Sequence, residues 1–143
     1  MNRTSNGRIL VIDDESAVCD LVRRVAEGEG FEVVTTGTHA EFIAAYDACP
    51  PAHMFLDLLL PDTDGIGLLQ ILADKGCEGQ IVIMSGTHPE LLSSTSRLGL
   101  SFDLNVVGTL KKPFRASELR DALRLFGAGK EGRGSNPTRS GNP

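Results

Sequence analysis

The amino-acid sequence predicts an α/β fold, a doubly wound five-stranded parallel sheet with five helices in three α/β/α layers. Three observations predict it. Five short apolar runs, at 9–12, 31–34, 53–56, 81–84 and 106–110, are often β-branched, as strands covered on both faces require. Helical patterns separate the runs, and such alternation implies parallel strands joined by crossover helices. A chain of 143 residues, 41% hydrophobic and 23% charged, fits one domain with an ordinary core.

The elements follow in order. The run at 9–12 is stopped by Asp13 and Asp14. Val18, Leu21, Val22 and Val25 then recur at i, i+3, i+4 and i+7, one apolar helical face. After the second run, Thr38-His39-Ala40-Glu41 has capping-box spacing and opens a helix through Tyr46, closed by Pro50-Pro51. The third run leads into Asp57. Leu68, Leu69 and Leu72 mark a third helix with Gly76 near its end, and the fourth run leads into Ser85-Gly86. Residues 89–98 read as a fourth helix. The fifth run precedes Lys111-Lys112-Pro113-Phe114, and residues 118–126 read as a fifth helix bearing Leu119, Ala122, Leu123 and Phe126. Residues 127–143 are Gly, Ser, Asn and Pro-rich without apolar period, too little surface to offset ordering entropy. The expected organisation is a flexible lead over 1–7, a folded domain over 8–126 and a disordered tail or linker stub over 127–143.

Composition excludes several classes. A net charge of -5, without clustered Lys or Arg, is a poor footprint for direct DNA binding. The first apolar run is too short for a secretory signal, and no stretch approaches membrane-spanning length. A cytoplasmic protein with no membrane partner is expected. Cys19, Cys49 and Cys77 have no metal-ligand spacing and read as small buried or half-buried apolar residues in a reducing compartment.

In a parallel α/β sheet, working residues lie just past the carboxyl ends of the strands. There the sequence puts Asp13-Asp14, Asp57, Ser85-Gly86 and Lys112. Three carboxylates repel one another unless something neutralises them, and an all-oxygen set favours a hard divalent cation such as Mg²⁺ or Mn²⁺. Lys112 adds a point charge able to pair with a phosphoryl oxygen, Ser85 a hydroxyl, and Gly86 an N–H with no Cβ beside it. A carboxylate is a competent nucleophile for phosphoryl transfer, in which positioning and charge neutralisation supply most of the rest. Each element alone is weak; their joint occurrence after four of the five strands is the strong signal.

The segments ILVIDDES (9–16), FLDLLLPDTDGIGLL (55–69), IVIMSG (81–86) and LKKPF (110–114) resemble the signature blocks of bacterial two-component response-regulator receiver domains. The resemblance implies a flavodoxin-like, CheY-like sheet of order 2-1-3-4-5. It implies Asp57 as phosphoacceptor, and Asp14 as metal ligand with Asp13 helping, partly through water. The backbone carbonyl of Leu59 completes the metal contacts. Ser85 closes on the phosphoryl group, Lys112 pairs with it, and Lys112-Pro113 is cis. The implied donor is a sensor histidine kinase or a histidine phosphotransfer protein, and the implied readout is a switched surface that binds a downstream protein target. The domain is then a phosphoacceptor and no enzyme beyond its own phosphorylation and dephosphorylation.

The sequence departs from the family pattern in three places. Thr109 stands where an aromatic residue is usual, Leu59 and Thr87 are not the commonest residues beside the pocket, and the Ser85–Lys112 interval is a few residues long, with 98–105 expected to absorb the excess. RLGLSFDLNVVGTLKKPF is similar to receivers that precede cyclic-di-GMP phosphodiesterase domains, so an alternative is a receiver fragment of a longer regulator with a missing output domain. A haloacid-dehalogenase-type phosphatase would want a second Asp where Leu59 sits, and an FMN binder would want a Ser/Thr-rich loop where Asp13-Asp14-Glu15 would repel phosphate. Gly65-Ile66-Gly67 lacks the third glycine of a dinucleotide fingerprint and reads as a helix start. Asp62-Thr63-Asp64-Gly65 lacks the remaining calcium ligands and reads as a turn. His39, His53 and His88 are scattered and carry no assigned role.

Overall fold

The computed structural model describes residues 7–57, 59–60, 63–86 and 102–133, with the side chains of 59–66 and 127–133 left out of the description. Five strands, β1 (Arg8–Ile12), β2 (Glu32–Thr36), β3 (His53–Asp57), β4 (Gln80–Ser85) and β5 (Asn105–Lys111), form one sheet. Its order is β2-β1-β3-β4-β5, and all its pairs are parallel. The helices are α1 (Ser16–Gly28), α2 (His39–Ala48), α3 (Gly65–Asp74) and α4 (Ala116–Arg133). The helix expected over 89–98 lies outside the described residues.

Side-chain alternation divides the core into two halves. Ile9, Val11, Phe55, Val82 and Met84 point to the face covered by α1 and α4, meeting Val22, Val25, Leu119, Leu123 and Phe126. Leu10, Ile12, Met54, Leu56, Ile81 and Ile83 point to the other face, meeting Phe42 of α2 and Leu68, Leu69 and Leu72 of α3. Strands buried on both faces leave their ends as the places where polar groups reach solvent.

Local signals worked largely as read. Thr38 caps α2 by accepting the Glu41 N–H at 3.1 Å, while Glu41 Oε1 accepts from the Gly37 N–H at 2.8 Å, one residue earlier than in the usual box. Gly65 opens α3, and Gly76 just past its end has φ 71, a left-handed turn that favours glycine.

Four details differ from expectation. A two-stranded antiparallel ribbon pairs Leu59 with Asp64 and Leu60 with Thr63, where only a turn was expected. The register of β5 against β4 shifts between Ile81 and Val82, whose partners are Val106 and Gly108. β5 therefore carries one extra residue there, a bulge not expected from the sequence, while 98–101 of the 98–105 connection lies outside the described residues. The last helix continues to Arg133, past the expected end at Phe126 and into the stretch read as tail. Once a helix is nucleated each added residue gains a hydrogen bond, and Ala128, Lys130, Glu131 and Arg133 are good helix formers that offset the intervening glycines. Finally, Cys19 and Cys77 are buried, but Cys49 at the end of α2 is exposed.

Candidate phosphoryl and metal site

The carboxyl edge of the sheet gathers the chemistry. The Asp13 N–H donates to the Thr36 carbonyl at 3.1 Å, so the β1–β2 ladder runs one residue past β1 and fixes the backbone of Asp13. Asp57 ends β3, the central strand. Ser85 ends β4 and pairs with Lys111 at the end of β5. The Lys112 N–H donates to the Ser85 carbonyl at 2.8 Å, which anchors the lysine beside that strand end. The Lys112-Pro113 peptide bond is cis, as the resemblance implied.

The Lys112 ammonium lies among three carboxylates. Its Nζ is 2.6 Å from Asp13 Oδ2, 3.2 Å from Asp57 Oδ2 and 3.2 Å from Glu15 Oε1. Asp13, Asp57 and Ser85 are buried, whereas Asp14 is exposed. One carboxylate oxygen from each of Asp13, Asp14 and Asp57 lies within 4.8 Å of the others, so this acidic cluster could hold a divalent metal. The Ser85 hydroxyl is buried and makes no hydrogen bond among the described residues. An all-oxygen ligand set would suit a hard divalent cation, and an ammonium beside an unsatisfied hydroxyl would suit an anionic oxygen group.

Electrostatics follow the geometry. Burial pushes the Asp13 carboxyl up to about 6, only partly offset by its hydrogen bonds from Lys112 and from the Glu15 N–H, while the nearby Asp57 charge adds to the rise. For Lys112, burial disfavours the ammonium, yet the hydrogen bond and charge of Asp13, the charge of Asp57 and the hydrogen bond to Glu15 outweigh it and hold the group above the usual lysine range. Lys112 is thus a fixed positive charge at any working pH. Beneath it, the Cys19 thiol donates to the Asp13 carbonyl at 3.4 Å, and burial, then the Asp13 and Asp20 charges, push that thiol up to about 11.

A cleft of about 700 Å³ opens over these groups. Asp14, Glu15, Asp57, Gly86 and Lys112 form its polar wall, and α1 residues Val18 and Leu21 with Pro113 and Phe114 form its apolar wall. The sequence-predicted residues Asp13, Asp57 and Lys112 meet directly, and Asp14 lies at the rim. Leu59 opens the short ribbon two residues past Asp57. A Cβ built on Gly86 would meet Lys112 Cβ at 3.7 Å, an ordinary contact, so packing does not demand glycine there. Thr87 lies outside the described residues. Sequence reasoning missed Glu15 as a partner of Lys112; the available signal was a third consecutive acid at a helix start where Ser, Thr, Asp or Asn is preferred.

Comparison with known proteins agrees with this layout. Residues 9–124 match the family described as response regulator receiver domain. The DNA-binding response regulator MtrA of Mycobacterium tuberculosis (strain ATCC 25618 / H37Rv) is 30% identical over 122 residues, covering 85% of this chain and 50% of that protein. The transcriptional regulatory protein TrcR of the same strain is 38% identical over 117 residues, covering 82% and 44%. The chain thus spans about half the length of the curated relatives it matches. Among solved structures, NtrX from Brucella abortus in complex with ADP superposes with a TM-score of 0.76 at 31% identity, over 89% of this chain and 28% of that one. A CheY-like receiver domain protein from Methanospirillum hungatei JF-1 gives 0.72 at 25% identity, over 87% and 98%.

Proposed function

The chain belongs to the response regulator receiver family, and from that premise we propose that Asp57 accepts a phosphoryl group and thereby switches a protein-binding surface. One observation carries the reading: Asp57 Oδ2 sits 3.2 Å from an ammonium that is itself 2.6 Å from Asp13, at the floor of an open cleft. The donor is a phosphohistidine of a sensor histidine kinase or a phosphotransfer protein. A carboxylate oxygen of Asp57 attacks phosphorus, the new P–O bond forms as the P–N bond breaks, and the imidazole keeps the electron pair.

Lys112 neutralises charge on the transferred oxygens, and the Ser85 hydroxyl supplies a hydrogen bond once the group has arrived. Gly86 contributes its backbone N–H to the same wall. Asp13, Asp14 and Asp57, with the Leu59 carbonyl, would hold Mg²⁺ or Mn²⁺, which supplies charge neutralisation at the phosphoryl oxygens when bound. The domain works in the cytoplasm, catalyses only its own phosphorylation and dephosphorylation, and reads out through a protein target without touching DNA itself.

A second reading is favoured by the length of the relatives: the chain is the receiver part of a longer regulator whose output domain lies elsewhere. Thr109, exposed on β5, replaces the ring that usually reports inward movement of the hydroxyl residue, so the relay to either readout runs through another segment, of which 98–105 is the candidate.

Incubating the chain with a small phosphodonor and Mg²⁺ tests the reading by intact mass. One phosphoryl mass should appear and be absent in Asp57→Asn and Asp57→Ala. Undiminished labelling of those variants would overturn the assignment.

A further inference from the structure

Glu15 holds the N-cap of α1, where a side chain ordinarily accepts an N–H from the first turn, but it makes no such bond. Its main chain is fixed in the cap: the N–H donates to Asp13 Oδ1 at 2.9 Å, and the carbonyl accepts from Val18 and Cys19. The carboxylate turns away from the helix and reaches Lys112, 97 residues along the chain. Of the three carboxylates on that ammonium, Asp13 and Asp57 are enclosed, with side chains 0% and 4% exposed, whereas Glu15 is on the rim at 62%. Two partners therefore hold the lysine from within and one from outside.

We propose that Glu15 is a positioning residue, a latch that draws Lys112 toward the rim in the unphosphorylated state and lets it go when a phosphoryl group on Asp57 takes the ammonium. This rests on reading Asp57 as the phosphoacceptor. The released carboxylate has a second partner ready, because the first turn of α1 carries no other acidic residue and its N–H groups and dipole attract an anion. The two states then differ by one exchange: Glu15 on Lys112 in the first, Glu15 on the helix start in the second. The exchange cuts the tie between the start of α1 and the segment after β5, which are opposite lips of the cleft. An exposed ion pair is worth little, so the latch biases the site by a few-fold and does not gate it outright.

The test uses the full chain with Glu15→Gln, Glu15→Ala and Glu15→Asp. In chelator, the Lys112 side-chain NMR resonances should move in all three variants, because the contact is lost without any metal or phosphodonor. With acetyl phosphate below saturation and Mg²⁺, each variant should label Asp57 about two- to five-fold faster than wild type, the range an exposed pair supports. Glu15→Asp is decisive: it keeps the charge, is one methylene too short for Lys112, and is a better N-cap, so it should label faster and also melt higher. Unmoved Lys112 resonances, or labelling of Glu15→Asp at the wild-type rate, would overturn the latch. If wild type itself takes no label, the phosphoacceptor reading fails, and the chelator spectra still decide whether Glu15 holds Lys112.

Discussion

β3 begins on His53 and ends on Asp57, and both are buried, at 2% and 4% exposure. The two ends keep their polar residues by different means. His53 stacks on Phe126 with ring centroids 4.4 Å apart and meets Phe31 edge-on at 5.6 Å. Phe126 in turn meets Phe55 at 5.4 Å, so the histidine belongs to an aromatic cluster that fastens α4 to the sheet. Asp57 instead faces an ammonium and two further carboxylates beneath an open cleft. Burial of a polar residue therefore does not by itself mark chemistry. Opposed charges and a route to solvent do.

The contrast can be broken from either end, beginning with the larger effect. His53→Ala removes a ring from the aromatic cluster and should cost about 2–4 kcal/mol of stability, as large-to-small core changes do. Phosphodonor labelling of Asp57, measured well below the melting transition, should be unchanged. Lost labelling in folded protein would mean that the two ends of β3 are coupled.

At the other end, Mg²⁺ in large excess over its Kd should stabilise the wild-type fold by about 1–3 kcal/mol, because the clustered carboxylates exist only in the folded state. Asp14→Asn should lose most of that response and melt above wild type in chelator, since it removes a like charge from the cluster. Equal Mg²⁺ shifts in thermal melts of both proteins would refute the metal role of Asp14.

The smallest expected effect is a pH dependence. The fold raises Asp13 from 3.8 to about 6, so the protonated carboxyl is favoured in the folded state. Its stabilising share is full below about pH 3.8 and is lost as pH rises through about 6. Metal-free wild type should lose about 2 kcal/mol relative to Asp13→Asn across that window. Parallel stability curves for the two proteins in chelator would show that Asp13 is not strained.

Much of this was legible in the sequence because the sheet is buried on both sides. The three inner strands β1, β3 and β4 are mostly apolar and buried, so the polar residue that stops each is conspicuous, and Asp13, Asp57 and Ser85 were found in that way. The illegible parts lack a local signal. The bulge at 106–108 depends on how β5 must pair with β4, which Val106, Val107 and Gly108 do not declare. The extension of α4 runs through glycines that discourage a helix when read alone. His53 looked unremarkable because its aromatic partners, Phe31 and Phe126, are brought to it only by the fold. Glu15 was visible as an acid, but its partner is 97 residues away.

The uneven exposure of the cysteines has a practical consequence. Cys19 and Cys77 are buried, and burial pushes the Cys19 thiol up to about 11, so neither side chain is open to a reagent at mild pH. Cys49 is exposed just past α2, on the connection that leads to the start of β3 rather than to its Asp57 end. The wild-type protein thus carries a natural attachment point for one dye or spin label. A maleimide near neutral pH should couple once, leaving the carboxyl edge untouched and requiring no engineered cysteine.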